Sequence, residues 1–133
     1  MSNATNTLQA TITSTDPNGN TSINRGLGNP SLAGAVCEAA LYQLLPAADQ
    51  AITLPASPIY NIYVKNNAAA GSGITIIVKL TPNGGAQQVL AKLEPGGVFL
   101  WWNVINTDAN GGYTALTLTA SGANTPVEYI LGA

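Results

Sequence analysis

The sequence predicts an all-β fold: an antiparallel β-sandwich or jelly-roll-like barrel with an irregular N-terminal arm. Three observations carry this prediction. Apolar and polar residues alternate in short segments rich in Val, Ile, Thr, Tyr and Trp, the period of a strand with one buried face. Turn chemistry separates those segments, as in TPNGG, EPGG and NTDANGG. Seven or eight such segments recur at short, regular spacing, the mark of sandwiches and barrels.

The clearest stretch is residues 59–102, which reads as an antiparallel meander of IYNIYVK, GITIIVKL, AQQVLAKL and VFLWW. Within it Ile74, Ile76, Val78 and Leu80 share one face, and Thr75, Ile77 and Lys79 the other. A helix would leave Ile76 and Leu80 off the apolar side, and β-branched crowding disfavours it further. In VFLWW, Val98, Leu100 and Trp102 are the natural core set, which leaves Phe99 and Trp101 on the opposite face.

The remaining elements follow in chain order. Residues 7–15 alternate Leu8, Ala10 and Ile12 against Thr7, Gln9, Thr11 and Thr13, a polar, weakly amphipathic strand. Residues 16–30, DPNGNTSINRGLGNP, have no period and read as loop. Residues 1–30 are therefore expected to be either an arm that docks on a neighbour or a floppy terminus. Residues 31–46 fit both periods: Leu32, Val36, Ala39/Ala40 and Leu44 have helical spacing, while Ala35, Cys37, Ala39 and Leu41 alternate. The β character of everything downstream favours a strand from about residue 38 to 45, ended by Pro46. Residues 51–54 form a short strand closed by Pro55, and Pro58 suits a strand start. After residue 102, Asn-Gly-Gly at 110–112 supplies positive-φ turn residues. Residues 113–120 alternate Leu116 and Leu118 against Thr117 and Thr119, and residues 127–131 form a last strand. The organisation expected is an arm over 1–30 and a sandwich over 31–133, with no internal repeat.

Composition narrows the function. At 133 residues, 46% of them hydrophobic, the chain suits one domain with a real core. Only 8% are charged, against about 25% in an ordinary domain. A surface so poor in charge offers little repulsion to another chain. Four scattered cations, Arg25, Lys65, Lys79 and Lys92, make no basic stripe, which argues against nucleic acid. No apolar run approaches the roughly 18 residues of a membrane span, and the first residues do not read as a Sec-type signal peptide.

Catalysis finds little support. Without histidine the commonest general base is missing, and Ser-His-Asp or Cys-His arrangements cannot be built. The six acids, Asp16, Glu38, Asp49, Glu94, Asp108 and Glu128, mostly sit beside turn residues and define no pair across a cleft. Cys37, alone among Ala, Val and Leu, reads as a small buried residue. Residues 16–20, Asp-Pro-Asn-Gly-Asn, open like a calcium loop but have Thr21 and Leu27 where that loop needs Gly and Glu, so an Asx or type I turn is the better reading. No catalytic residue, metal site or cofactor is expected. The candidates for binding a partner are Leu8, Ile12 and Arg25 in the arm, and Phe99 and Trp101 if the second face of their strand is open.

Taken together, IYNIYVKNNAAAGSG, ITIIVKLTPNGGAQQVLAKLEPGGVFLWW and GGYTALTLTASGANTPVEYILGA, over about residues 38–133, resemble small virion structural proteins of tailed bacteriophages. Leu93-Glu94-Pro95-Gly96-Gly97 stands where those β-sandwiches carry an extended L-x-P-G-G turn. The resemblance implies a non-enzymatic capsid decoration (cement) protein in the virion. It would be a homo-oligomer, with a trimer favoured, that partners the major capsid protein or other virion proteins through a terminal arm. A carbohydrate-binding β-sandwich using Trp101 and nearby tyrosines, and a tail-tip or fibre-base component, are the alternative readings.

Overall fold

A computed structural model describes the backbone of residues 3–7, 9, 11–15, 17–18, 21–26, 31–103 and 110–133, with side chains at 9, 17–18 and, within that set, from residue 43 onward. Every regular element among them is a strand: β1 (Asn3–Thr7), β2 (Thr11–Thr15), β3 (Thr21–Gly26), β4 (Ser31–Leu45), β5 (Asp49–Ile52), β6 (Asn61–Asn66), β7 (Ile76–Pro82), β8 (Gln88–Leu93), β9 (Val98–Trp102), β10 (Tyr113–Ala120) and β11 (Thr125–Gly132).

Strands β4–β11 form a sandwich of two antiparallel sheets, in the orders β4-β11-β6-β9 and β5-β10-β7-β8. The pairings nest: β4 with β11, β5 with β10, β6 with β9 and β7 with β8, a long hairpin rolled upon itself. Two further ladders, β6–β11 and β7–β10, close the roll, which is the order of an eight-stranded jelly roll. Residues 59–102 are accordingly not a meander. The chain passes from β6 in one sheet to the β7–β8 hairpin in the other and returns as β9. Local alternation marks strands but not their partners, and burying both sheet faces requires this exchange.

The core lies between the sheets, where Ile62, Val64, Ile76, Val78, Leu80, Leu116, Leu118, Val127 and Leu131 are buried. In β7 and β10 the buried set is the one the alternation predicts. The doubtful segment 31–46 is strand throughout 31–45, longer than expected.

Two features pin the crossings. Glu94-Pro95-Gly96-Gly97 is a turn closed by Gly97 N–H donating to Glu94 O (2.8 Å), with Gly96 at φ +82°, the type II pattern of Pro then Gly. It docks on β6 through Gly96 N–H to Asn66 O (2.8 Å) and Asn66 N–H to Gly97 O (3.0 Å). The buried Asn66 side chain reaches across to the other sheet. Its Nδ2 donates to Ile74 O and Leu93 O, and its Oδ1 accepts from Ala68 N–H, all at 2.9 Å. At the opposite end Gly112, at φ +77°, lies where a Cβ would meet Ile59 O at 2.7 Å. Only glycine fits that junction, where Ile59 and Tyr113 bridge the sheets.

The N-terminal segment is more regular than its composition suggests. The first six residues of β4 run beyond the sandwich and pair with β1, from Asn3↔Val36 to Thr7↔Ser31. Residues 21–26, expected as loop, pair as β3 with β2, from Thr11↔Gly26 to Thr15↔Thr21, and the turn at 17–18 joins them. The two ladders follow one another in the order of a single hairpin, β1 and β2 on one side against β3 and the start of β4 on the other. From Thr7↔Ser31 to Thr11↔Gly26 one side advances four residues and the other five.

Candidate interaction surface

Strand β9 is the last strand of its sheet and β8 the last of the other, so the turn between them runs along one side of the sandwich. Cross-strand partners share a face. The register sets Phe99 opposite Val64 and Trp101 opposite Ile62, both fully buried. Phe99 and Trp101 therefore pack inward against the core, and Trp101 meets Tyr113 edge-on with ring centroids 4.9 Å apart. The sequence-based face assignment for VFLWW is reversed. Val98 and Leu100 stand opposite Lys65 and Tyr63 on the outer face, and Trp102 opposite Asn61.

This reversal exposes Val98 and Leu100, which the alternation assigned to the core, beside two exposed apolar residues of β8. Val98 is 50% exposed and Val89, on β8, 64%, with Leu90 and Leu100 also exposed. The four lie on the two edge strands of one side of the molecule, where backbone groups also face outward unpaired among the described residues. Such an edge is a template for strand addition. The signal in the sequence was that VFLWW is apolar at every position, so one of its two faces had to be left outside the core.

Among the described residues, most charged groups on the outer faces have a partner within the chain. Lys79 Nζ bonds the Asp49 carboxylate at 2.8 and 3.0 Å, and the Thr119 hydroxyl donates to the same group. Together they hold the Asp49 carboxyl below its ordinary value. On the β4-β11-β6-β9 sheet the Tyr63 hydroxyl donates to Glu128 Oε1 (2.7 Å) and Asn67 Nδ2 to Oε2 (3.3 Å). The tyrosine bond, then Asn67 and the Lys65 charge, lower the Glu128 carboxyl against the opposing effect of burial. Burial, followed by the bond to Glu128 and its charge, pushes the Tyr63 hydroxyl up to about 12. Lys92 and Glu94 lie 3.8 Å apart on the surface. No candidate metal site of three or more His, Cys, Asp or Glu occurs among the described residues.

Of the arm candidates, Ile12 and Arg25 stand opposite each other in the β2–β3 ladder, and Leu8 lies outside the described residues. The structure does not bring Ile12 and Arg25 together with Phe99 and Trp101. Among the described residues, none of β1–β3 packs substantially against β5–β11. The ribbon stands off the sandwich, attached through β4. Set against known protein families, curated proteins and solved structures, the chain matches none.

Proposed function

We propose that this chain is a non-enzymatic structural protein of a bacteriophage virion, a decoration protein that attaches to the assembled head and stabilises it. The observation that carries this reading is the projecting ribbon. An isolated two-stranded hairpin is at best marginally stable in water, and residues 3–15 and 21–36 include few large apolar side chains with which to build a core. Such an element gains its stability by lying on another protein. The 22 residues of β1, β2, β3 and the first six positions of β4 match the 20–30 residues that a partner contributes to a stable interface. The apolar β8–β9 side offers a second contact, and a chain with only 8% charged residues sets little repulsion against it. Binding only the assembled state stabilises it by mass action, about 2.7 kcal/mol at a free concentration a hundredfold above Kd.

The jelly roll is shared by capsid proteins and lectins, so fold analogy supports both readings. The carbohydrate reading rested on Trp101 as an open platform, and Trp101 packs inward. Co-sedimentation with purified phage heads tests the proposal, using the full chain and a version lacking residues 1–30. The full chain pellets with heads, while the shortened one keeps its β circular dichroism and cooperative unfolding but stays in the supernatant. A full chain that remains monomeric and binds no head overturns the reading. Binding to tails instead of heads moves the protein to the tail-tip or fibre-base class.

A further inference from the structure

We infer that the outer face of the β4-β11-β6-β9 sheet holds a buried site for one water molecule, bridging Asn61 and Trp102. These two residues are directly opposite in the β6–β9 ladder. Asn61 is fully buried although it sits on the face away from the core, and its Oδ1 has no hydrogen-bond partner among the described residues. Trp102 Nε1 is likewise buried without one among those residues.

The orientation of the Asn61 amide is decided by its neighbours. Its Nδ2 donates to Tyr60 O and to Asn103 O, both at 3.0 Å. Turning the amide over would set its oxygen against two carbonyl oxygens, so the orphaned atom is an acceptor. The indole N–H across the ladder can only donate. On the other flank of Asn61 the register places Gly132, which brings no side chain to fill the space or offer a bond.

An orphaned buried donor or acceptor costs about 1–3 kcal/mol, and here one of each character lies on paired residues. A molecule that accepts one hydrogen bond and donates another relieves both. Water does so, and internal waters commonly make two to four such bonds. Because Asn61 is entirely covered, a sugar or other polyol has no room to present a hydroxyl there. The water would complete an anchor: Asn61 holds Asn103 O as the chain leaves β9, and Trp102 is held beside it.

Heteronuclear NMR on the intact chain tests this. A Trp101→Phe variant assigns the two indole N–H signals. The expected result is a direct cross-peak between the Trp102 indole N–H and water, with the sign of a molecule bound longer than the protein tumbles, and slow exchange of that proton. A crystal structure should place one density peak within hydrogen-bond distance of both atoms, lost or displaced in Trp102→Phe. Absence of the cross-peak, or a crystal structure in which Nε1 bonds a protein acceptor directly, overturns the inference.

Discussion

Replacing Asn66 tests how the two sheets are joined. The side chain is fully buried on β6 and satisfies two carbonyl oxygens, Ile74 O and Leu93 O, and one amide, Ala68 N–H. Asn66→Ala strips all three of their side-chain partner. At about 1–3 kcal/mol for each buried group left unpaired, with water entering to recover part of it, the expected loss is about 3–4 kcal/mol. For a domain whose total stability is of order 5–15 kcal/mol, that lowers the folding equilibrium constant roughly a hundred- to a thousandfold. The melting temperature should fall by about 10–20 °C. Asn66→Asp keeps the shape but turns a carboxylate oxygen toward two carbonyls. Its folded-state pKa should be raised above the unfolded value. Its deficit is then largest near neutrality and shrinks as pH falls through the folded-state pKa, because the protonated acid can donate one bond. Urea titrations followed by tryptophan fluorescence at neutral and mildly acidic pH measure both variants. An Asn66→Ala cost below about 1 kcal/mol, or an Asn66→Asp deficit that does not change with pH, would refute the clamp.

Further outcomes follow from the same geometry. Phe99→Ala and Trp101→Ala should each destabilise the fold by about 2–3 kcal/mol, somewhat less than a fully buried aromatic, as read by denaturant midpoints. Val98→Asp and Leu100→Asp, on the outer face, should change stability by no more than about 0.5–1 kcal/mol but abolish binding in the co-sedimentation assay. Gly112→Ala should cost more than about 2 kcal/mol, because a positive φ and a close carbonyl both oppose a Cβ there. For the Tyr63–Glu128 pair, the lowered Glu128 carboxyl contributes stability above its ordinary value of 4.5 that is lost as pH falls through its lower folded value. The raised Tyr63 hydroxyl contributes stability below 10.0 that is lost as pH rises toward about 12. Tyr63→Phe should therefore flatten part of both limbs of the stability-against-pH curve while changing the plateau between them least in slope.

Much of the fold could be read locally. Alternation in 76–80 and 116–120 names the buried residues of β7 and β10, because each has polar residues on one side to mark the solvent. Pro95-Gly96 and Asn83-Gly84 name their turns, because φ at proline and positive φ at glycine are properties of single residues. The candidate surface was less legible. VFLWW carries no polar residue to tell its faces apart, and only pairing with β6 sends Phe99 and Trp101 inward and leaves Val98 and Leu100 outside. In residues 16–30 the Asn- and Gly-rich composition conceals a strand, since Ile23 is the one apolar residue in β3 and sets up no alternation to mark its pairing with β2.

By itself, then, the sequence determined that this chain is all-β, where most of its sandwich strands begin and end, and which turns join them. Those properties depend on backbone preferences and on a two-residue period. The tertiary structure decided which strands pair, which face of β9 is buried, that Asn66 clamps the sheets, and that β1–β3 pair with one another and with the start of β4 as a ribbon. Each of these depends on partners distant along the chain, brought together only when both sheets close over one core.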